Sequence, residues 1–268
     1  MPELPEVETI VRGLRPRVVG RRIENAEFRW ARTAKGDADL TTAGLLGQRI
    51  TALRRWGKYI VFDLEREGAA SVLVVHLRMT GNFLINGEPG PWTRAILTLD
   101  GGVSLVFHDI RKFGRFEWAP EIPPRLRELG PEPLEVGLEE FRQRLKARSA
   151  QVKAVLLDQE FLRGLGNIYC DEALFRSGIH PRANTARIGP KRAARLHQAI
   201  QEVLRDAIEQ GGTTVMNYVN SEGTQGYFQL KTFVYGKTGE SCKVCGGRIS
   251  RTAIGGRTTH YCGKCQRG

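Results

Sequence analysis

The spacing of apolar residues divides the chain into a strand-rich first part and a helix-rich second part. Near the start, Val7, Ile10, Val11 and Leu14 recur every three or four positions, which predicts an amphipathic helix over 5–18. Residues 49–64 and 71–85 are dense in β-branched and aromatic side chains and predict strands. Residues 94–119 hold two strand-like runs around Asp100-Gly101-Gly102. Glycines there supply the positive φ of a tight turn, so a hairpin is expected. Residues 1–120 thus read as a β-rich domain with one N-terminal helix. Five prolines and two glycines between Pro120 and Gly137 mark an irregular linker. Helical periodicity follows over 139–147, 150–161, 168–177 and 190–210. Leu196, Ile200, Val203, Leu204, Ala207 and Ile208 form the stripe of the last helix, Pro190 suits its first turn and Gly211-Gly212 stop it. A polar loop is expected over 217–226 and a strand over 227–235. The domain reading is 1–120, a linker 121–137, a helical part 138–230 and a cysteine module 231–268.

Composition narrows the class. The 268 residues are 41% hydrophobic and 26% charged, which excludes wholesale disorder. No apolar run reaches the roughly 18 residues of a membrane span, and the acidic start Met1-Pro2-Glu3-Leu4-Pro5-Glu6 lacks the order of a signal peptide. A cytoplasmic protein is expected. The net charge of +12 points to an anionic partner. Residues 1–150 hold 24 basic against 20 acidic residues, whereas 151–268 hold 17 against 9, so the excess concentrates towards the C-terminus.

The cysteines carry the sharpest local signal. Cys242 and Cys245 form one Cys-x2-Cys knuckle, Cys262 and Cys265 a second, with sixteen residues between them. Two facing knuckles complete a tetrahedral four-sulfur shell for Zn2+, and four thiolates leave no open coordination position, so one structural zinc is expected. Gly255-Gly256 mark the tip of the intervening hairpin, and Arg257 follows them where a guanidinium can reach a phosphate. The fifth cysteine, Cys170, reads as a small buried hydrophobe. At the other end, removal of Met1 leaves Pro2 with a secondary α-amine. Such amines titrate near 7.7–8.0, roughly two units below lysine, so a useful fraction is neutral and nucleophilic at pH 7. Glu3 stands beside it as a candidate acid and Glu6 as a candidate orienting group. Alone, this start is equally that of a helix with an early proline and acidic first turn.

Six segments occur in one order: PELPEVET, RWGKY, HLRMTG, HDIRKFG, LDQEFLRGLGNIYCDEALFRSGIHP and GGRTTHYCGKCQ. Over its whole length the chain resembles the bacterial formamidopyrimidine-DNA glycosylases of the Fpg/Nei family. The resemblance implies an α+β protein, with an N-terminal β-sandwich domain, a helix–two-turn–helix domain and a C-terminal β-hairpin zinc finger, and DNA held between the domains. It implies that Pro2 attacks the anomeric carbon of a damaged nucleotide, that Glu3 protonates the sugar ring oxygen, and that β- and δ-elimination then cut the strand without a small-molecule cofactor. By the same resemblance Lys58 reaches the lesion nucleotide. Met79, Arg111 and Phe113 fill the space it leaves, and Asn167 and Arg257 bind the phosphate beside it. His76 and His108 are expected to be strand-end or phosphate contacts. The resemblance implies damaged double-stranded DNA as the partner, and a monomer is expected.

Two departures and two alternatives stay open. Met216 and Asn217 stand where the family commonly has an Arg-Asp pair, beside the loop expected to close over the damaged base. Leu162-Arg163 precede the Gly164-Leu165-Gly166-Asn167 turn where small residues are usual. The alternatives are an endonuclease VIII-like enzyme for oxidised pyrimidines and a non-catalytic, damage-sensing zinc-finger protein. Leu4-Pro5 and the Arg111/Phe113 arrangement argue against the first, and the joint presence of Pro2, Glu3 and Lys58 against the second.

Overall fold

The computed structural model describes residues 1–213 and 231–268. Two compact units divide them: residues 1–127 together with 210–213, and 128–209 together with 231–268. Met216, Asn217, the 217–226 loop and residues 227–230 lie outside the described residues.

In the first unit, helix α1 (Leu4–Val18) opens on a reciprocal capping box between Glu3 and Glu6, with Pro5 in its first turn. Then come β1 (Ile23–Glu27), α2 (Ala38–Leu45), β2 (Arg49–Trp56), β3 (Tyr59–Arg66), β4 (Ala69–His76), β5 (Asn82–Ile85), β6 (Thr93–Leu99), β7 (Val103–His108), β8 (Arg115–Ala119) and the short α3 (Pro124–Arg127). The strands form two antiparallel four-stranded sheets, ordered β1-β6-β7-β5 and β2-β3-β4-β8. The inward face of α1 (Val7, Ile10, Val11, Leu14) is fully buried in the same core as Phe62, Phe83, Phe107 and Phe116. Those phenylalanines meet in edge-on and tilted pairs with centroids 4.9–6.3 Å apart, the geometry favoured by the ring quadrupole. The expected turn at Asp100–Gly102 joins β6 to β7, with Gly101 at φ 67° and Gly102 at 73°.

The unit holds a second helix that apolar periodicity did not announce. Asp37 caps α2 by accepting from the Asp39 and Leu40 amides at 2.8 and 3.0 Å. Its buried face is Thr41, Gly44 and Leu45, two of them too small or polar to register as hydrophobic. Gly44 is required there, since a Cβ would fall 2.5 Å from the Trp118 ring.

The second unit contains α4 (Leu138–Lys146), α5 (Val152–Leu157), α6 (Asn167–Ser177), α7 (Pro190–Glu209) and the hairpin β9 (Ile249–Ile254) and β10 (Arg257–Cys262). The helix expected over 150–161 stops at Leu157. Asp158 accepts the Glu160 amide on its side chain, and the Phe161 and Leu162 amides on its carbonyl. Gln159 then holds the following turn, donating to the Leu157 and Leu165 carbonyls and accepting from Gly164, which has φ 90°. The two-turn segment between α5 and α6 is thus built by two polar side chains. The strand expected over 227–235 is not formed in its described part, 231–235. The amides of Phe233, Val234 and Tyr235 point instead at the carboxylate of Glu172 on α6, at 2.8, 2.9 and 2.8 Å. Among the described residues no helix is long and apolar enough to cross a membrane.

Glu172 is fully buried. Replacing it by Ala strands three backbone N–H groups, each worth about 1–3 kcal/mol when left unsatisfied. Glu172→Ala is therefore expected to lower unfolding free energy by at least about 3 kcal/mol, and Glu172→Gln by less. Urea titration checks this; equal stability of both variants and the parent contradicts it.

Candidate functional site

The candidate residues fall into two groups, one in each unit. In the first, Pro2, Glu3 and Glu6 are all buried, Glu3 and Glu6 with 3% and 2% exposure. A chain end is ordinarily loose. Here Glu6 fixes it: one carboxylate oxygen accepts the Glu3 amide at 2.8 Å and the other accepts the Thr213 amide at 2.8 Å. The second contact explains Gly211-Gly212. Gly212 has φ +81°, and a Cβ on it would lie 3.0 Å from Glu6 Oε1. Glu6 thus ties the first residues of the chain to a segment 207 positions away.

Lys58 sits on the two-residue turn between β2 and β3, where Trp56 pairs with Tyr59. Gly57, at φ 60°, takes the first turn position, as a type II′ turn demands. Lys58 is thus a turn residue, not a strand lysine, and it is 92% buried. The turn is braced by Arg55, which pairs with Glu8 at 2.9 Å and donates to the Gly57 carbonyl, and by Trp56, whose indole N–H donates to Leu126. At the end of β4, His76 accepts the Arg78 amide on Nδ1 at 2.9 Å and stands edge-on to Tyr59. Burial, then the charges of Arg78, Lys58 and Arg125, push its pKa down to about 3. It is therefore a neutral imidazole. Lys35, Arg78, Arg115 and Arg125 line the same cleft, with Glu117 the one acid among the described residues that line it.

Met79 and Phe113 are exposed although large and apolar, at 39% and 44%. Arg111 places its guanidinium 4.8 Å from the centre of the Phe113 ring. They project from two loops, 77–81 and 109–114. His108, at the end of β7, has its pKa lowered, first by burial and then by the charge of Arg94.

In the second unit, Asn167 begins α6. Its Nδ2 donates to the Thr258 carbonyl at 3.0 Å, while its Oδ1 is buried without a hydrogen-bond partner among the described residues. Thr258 follows Arg257, which begins β10 immediately after Gly255 and Gly256 at φ 55° and 69°. The helix start and the hairpin tip are therefore joined, and Asn167 and the exposed Arg257 are brought together. Sequence reading missed the support beneath them. Lys153, wholly buried, donates to Asp171 at 2.6 Å and to the same Thr258 carbonyl at 3.2 Å. Asp171 also accepts the His260 amide at 2.8 Å. A lysine on the otherwise apolar α5 was the available signal.

The four sulfurs of Cys242, Cys245, Cys262 and Cys265 lie within 4.8 Å of one another. The closest pairs are Cys245–Cys262 at 3.5 Å and Cys242–Cys265 at 3.9 Å. A tetrahedron with Zn–S bonds of about 2.3 Å has edges near 3.8 Å, so the cage fits one structural zinc. No pair is joined as a disulfide. Cys170, likewise in no disulfide, is completely buried in α6.

Three family models match along the chain. They are the formamidopyrimidine-DNA glycosylase N-terminal domain over residues 1–116, the formamidopyrimidine-DNA glycosylase H2TH domain over 129–219, and the zinc finger found in FPG and IleRS over 239–268. The chain belongs to the formamidopyrimidine-DNA glycosylase family. It is 50% identical to the formamidopyrimidine-DNA glycosylase of Solibacter usitatus over the full length of both chains, and 43% identical to that of Bacillus subtilis, covering 99% of each. Among solved structures it resembles the MutM (Fpg) protein of Thermus thermophilus, with TM-score 0.89, 41% identity and coverage of 99% and 98%. It also resembles a MutM in complex with DNA containing carbocyclic 8-oxo-G, with TM-score 0.90, 33% identity and complete coverage of both chains.

Two outcomes test the site. Zinc removal by a chelator, or Cys262→Ser, is expected to unfold the hairpin module and weaken DNA binding at least tenfold, since metal binding and folding are one equilibrium there; unchanged affinity after verified zinc loss contradicts it. For His76, the folded state resists protonation. Its stabilising contribution is therefore complete above the ordinary value of 6.5 and is lost as pH falls towards 3. Its imidazole NMR signals are expected to stay those of the neutral ring between pH 8 and 5, and a midpoint near 6.5 contradicts the buried, cation-flanked site.

Proposed function

We propose that this protein removes oxidised purines, 8-oxoguanine and formamidopyrimidines, from duplex DNA and then cuts the strand at the abasic sugar. The observation that carries the proposal is the pinned, buried N-terminus, with Pro2 and Glu3 fixed through Glu6 in a chain of this family. After loss of Met1, the Pro2 nitrogen attacks C1′ of the damaged nucleotide, and the base leaves with the glycosidic electron pair. Glu3 gives a proton to the ring oxygen as the sugar opens, leaving a cationic iminium on Pro2. That iminium draws electrons from C2′, and loss of the C2′ proton expels the 3′ phosphate. A second elimination expels the 5′ phosphate, and hydrolysis frees Pro2. No redox partner is needed.

The target carbon is out of reach inside a duplex, so the nucleotide swings out before reaction. Met79 and Phe113 are apolar wedges suited to the gap, and Arg111 carries donors for the edge of the orphaned base. Lys58 provides positive charge beside the lesion. Asn167 and Arg257, joined through Thr258, clamp a backbone phosphate, and the zinc module holds Arg257 in place. His76, neutral and carrying its ring proton on Nε2, hydrogen-bonds a phosphate without adding charge. The protein acts as a monomer, without a small-molecule cofactor. Its zinc thiolates suit the reducing interior of a cell, where its DNA partner lies.

Borohydride trapping on a panel of lesion duplexes tests the reading. The parent is expected to form a covalent adduct with duplexes carrying 8-oxoguanine opposite cytosine, and Pro2→Gly or a retained Met1 to reduce it at least a hundredfold. No adduct in any version means a binding protein, and strong preference for thymine glycol means an oxidised-pyrimidine enzyme.

A further inference from the structure

The two loops that carry Met79, Arg111 and Phe113 share one buried carboxylate, Asp109, which is 1% exposed. Its Oδ1 accepts a very short hydrogen bond from the Thr80 hydroxyl and the Arg111 amide at 3.2 Å. Its Oδ2 accepts the Gly114 amide at 2.6 Å. The Thr80 hydroxyl oxygen in turn accepts the Arg111 amide at 3.1 Å. The backbone of Asp109 extends the same net, donating to the Trp92 carbonyl at 2.8 Å and accepting from Arg94 Nε at 2.9 Å.

Beneath the carboxylate the loops share a floor as well. A Cβ on Gly81 would come within 2.7 Å of the Phe107 ring, and one on Gly114 within 2.5 Å of the same ring. This is the physical reason why the segments HLRMTG and HDIRKFG both end in glycine: each loop closes against Phe107. The price is backbone strain, since Arg78 and Lys112 sit at φ 57° and 59°, where L-residues are uncommon. Lys112 is steadied there by its ammonium lying 4.4 Å from the centre of the Trp30 ring. Asp109 therefore holds two strained loops, 29 residues apart at Thr80 and Asp109, in one arrangement.

We infer that Asp109 is a positioning residue that makes Met79, Arg111 and Phe113 a single preassembled wedge. Asp109 itself does not touch DNA. Through the Thr80 hydroxyl it sets the loop of Met79, and through the amides of Arg111 and Gly114 it sets the loop of Arg111 and Phe113. With the wedge preassembled, opening the duplex and filling the vacated space occur together, and no ordering of two loops is needed at that moment. This inference rests on the proposed function, because it needs the three side chains to enter DNA.

The test is a double-mutant cycle in two backgrounds. Single-turnover excision from a duplex carrying 8-oxoguanine opposite cytosine is measured for Met79→Ala, Phe113→Ala and the pair. Each rate is divided by the same variant's cleavage of a single-stranded abasic oligonucleotide, which has no helix to open, so losses of folding or chemistry cancel. With Asp109 present, the two substitutions are expected to be non-additive by about tenfold, the behaviour of side chains acting as a unit. In Asp109→Asn the ratio is expected to fall about tenfold, and the remaining effects of Met79→Ala and Phe113→Ala to become additive. Thr80→Val is expected to move the ratio in the same direction, and Thr80→Ser, which restores the hydroxyl, to recover it. Unchanged coupling in Asp109→Asn, or equal ratios for Thr80→Val and Thr80→Ser, overturns the role given to Asp109. If Met79→Ala and Phe113→Ala each leave the ratio untouched in the parent, the wedge itself is wrong, and the proposed function loses that element first.

Discussion

The chemistry proposed here belongs to an atom that proteins ordinarily leave loose, the nitrogen at the start of the chain. A nucleophile must be held close to its reaction geometry to be effective, and a free terminus loses that advantage to conformational entropy. The Glu6 carboxylate resolves the conflict. It closes the capping box on Glu3 and reaches the Thr213 amide with its second oxygen, so the first turn of α1 is anchored at both its own start and a distant glycine turn. The rest of the first unit follows from that need, since α1 is held by burying Val7, Ile10, Val11 and Leu14 in the sandwich core.

The same physical device recurs wherever a loop must be placed. Glu172 gathers three consecutive amides before the cysteine module, Asp171 joins Lys153 to the β10 hairpin at His260, and Asp109 ties two loops above Phe107. Each of these carboxylates is at most 1% exposed. A buried carboxylate is costly unless hydrogen bonds satisfy it, and once satisfied it fixes geometry more sharply than apolar contact does. The exposed groups proposed to meet DNA, Met79, Arg111, Phe113 and Arg257, stand on these anchored loops.

The parts legible in the sequence were those whose signal is local. The stripe of α7, the Asp100–Gly102 hairpin and the paired Cys-x2-Cys knuckles each carry their instruction within a few residues. The motifs that identify the family lay equally open. What stayed hidden depends on partners far away in the chain. The strand expected over 227–235 is not formed in its described part, 231–235, where Glu172, 61 to 63 positions earlier, takes the amides of Phe233, Val234 and Tyr235. Helix α2 buries Thr41 and Gly44, which no hydrophobic count detects. Lys58 lies within the stretch 49–64 expected to be strand, and neither the Gly57 turn that carries it nor its burial is visible in that pattern. Asp109 has no distinguishing pattern at all, and Lys153 only its place on an otherwise apolar helix, since their roles are defined by Thr80 and Thr258.

The most direct measurement is peptide mapping by mass spectrometry of the borohydride-reduced complex formed with lesion DNA by protein from which Met1 has been removed. A sugar remnant on the nitrogen of Pro2 is the result this account requires. A remnant on Lys58 or any other lysine, with Pro2 unmodified, contradicts it.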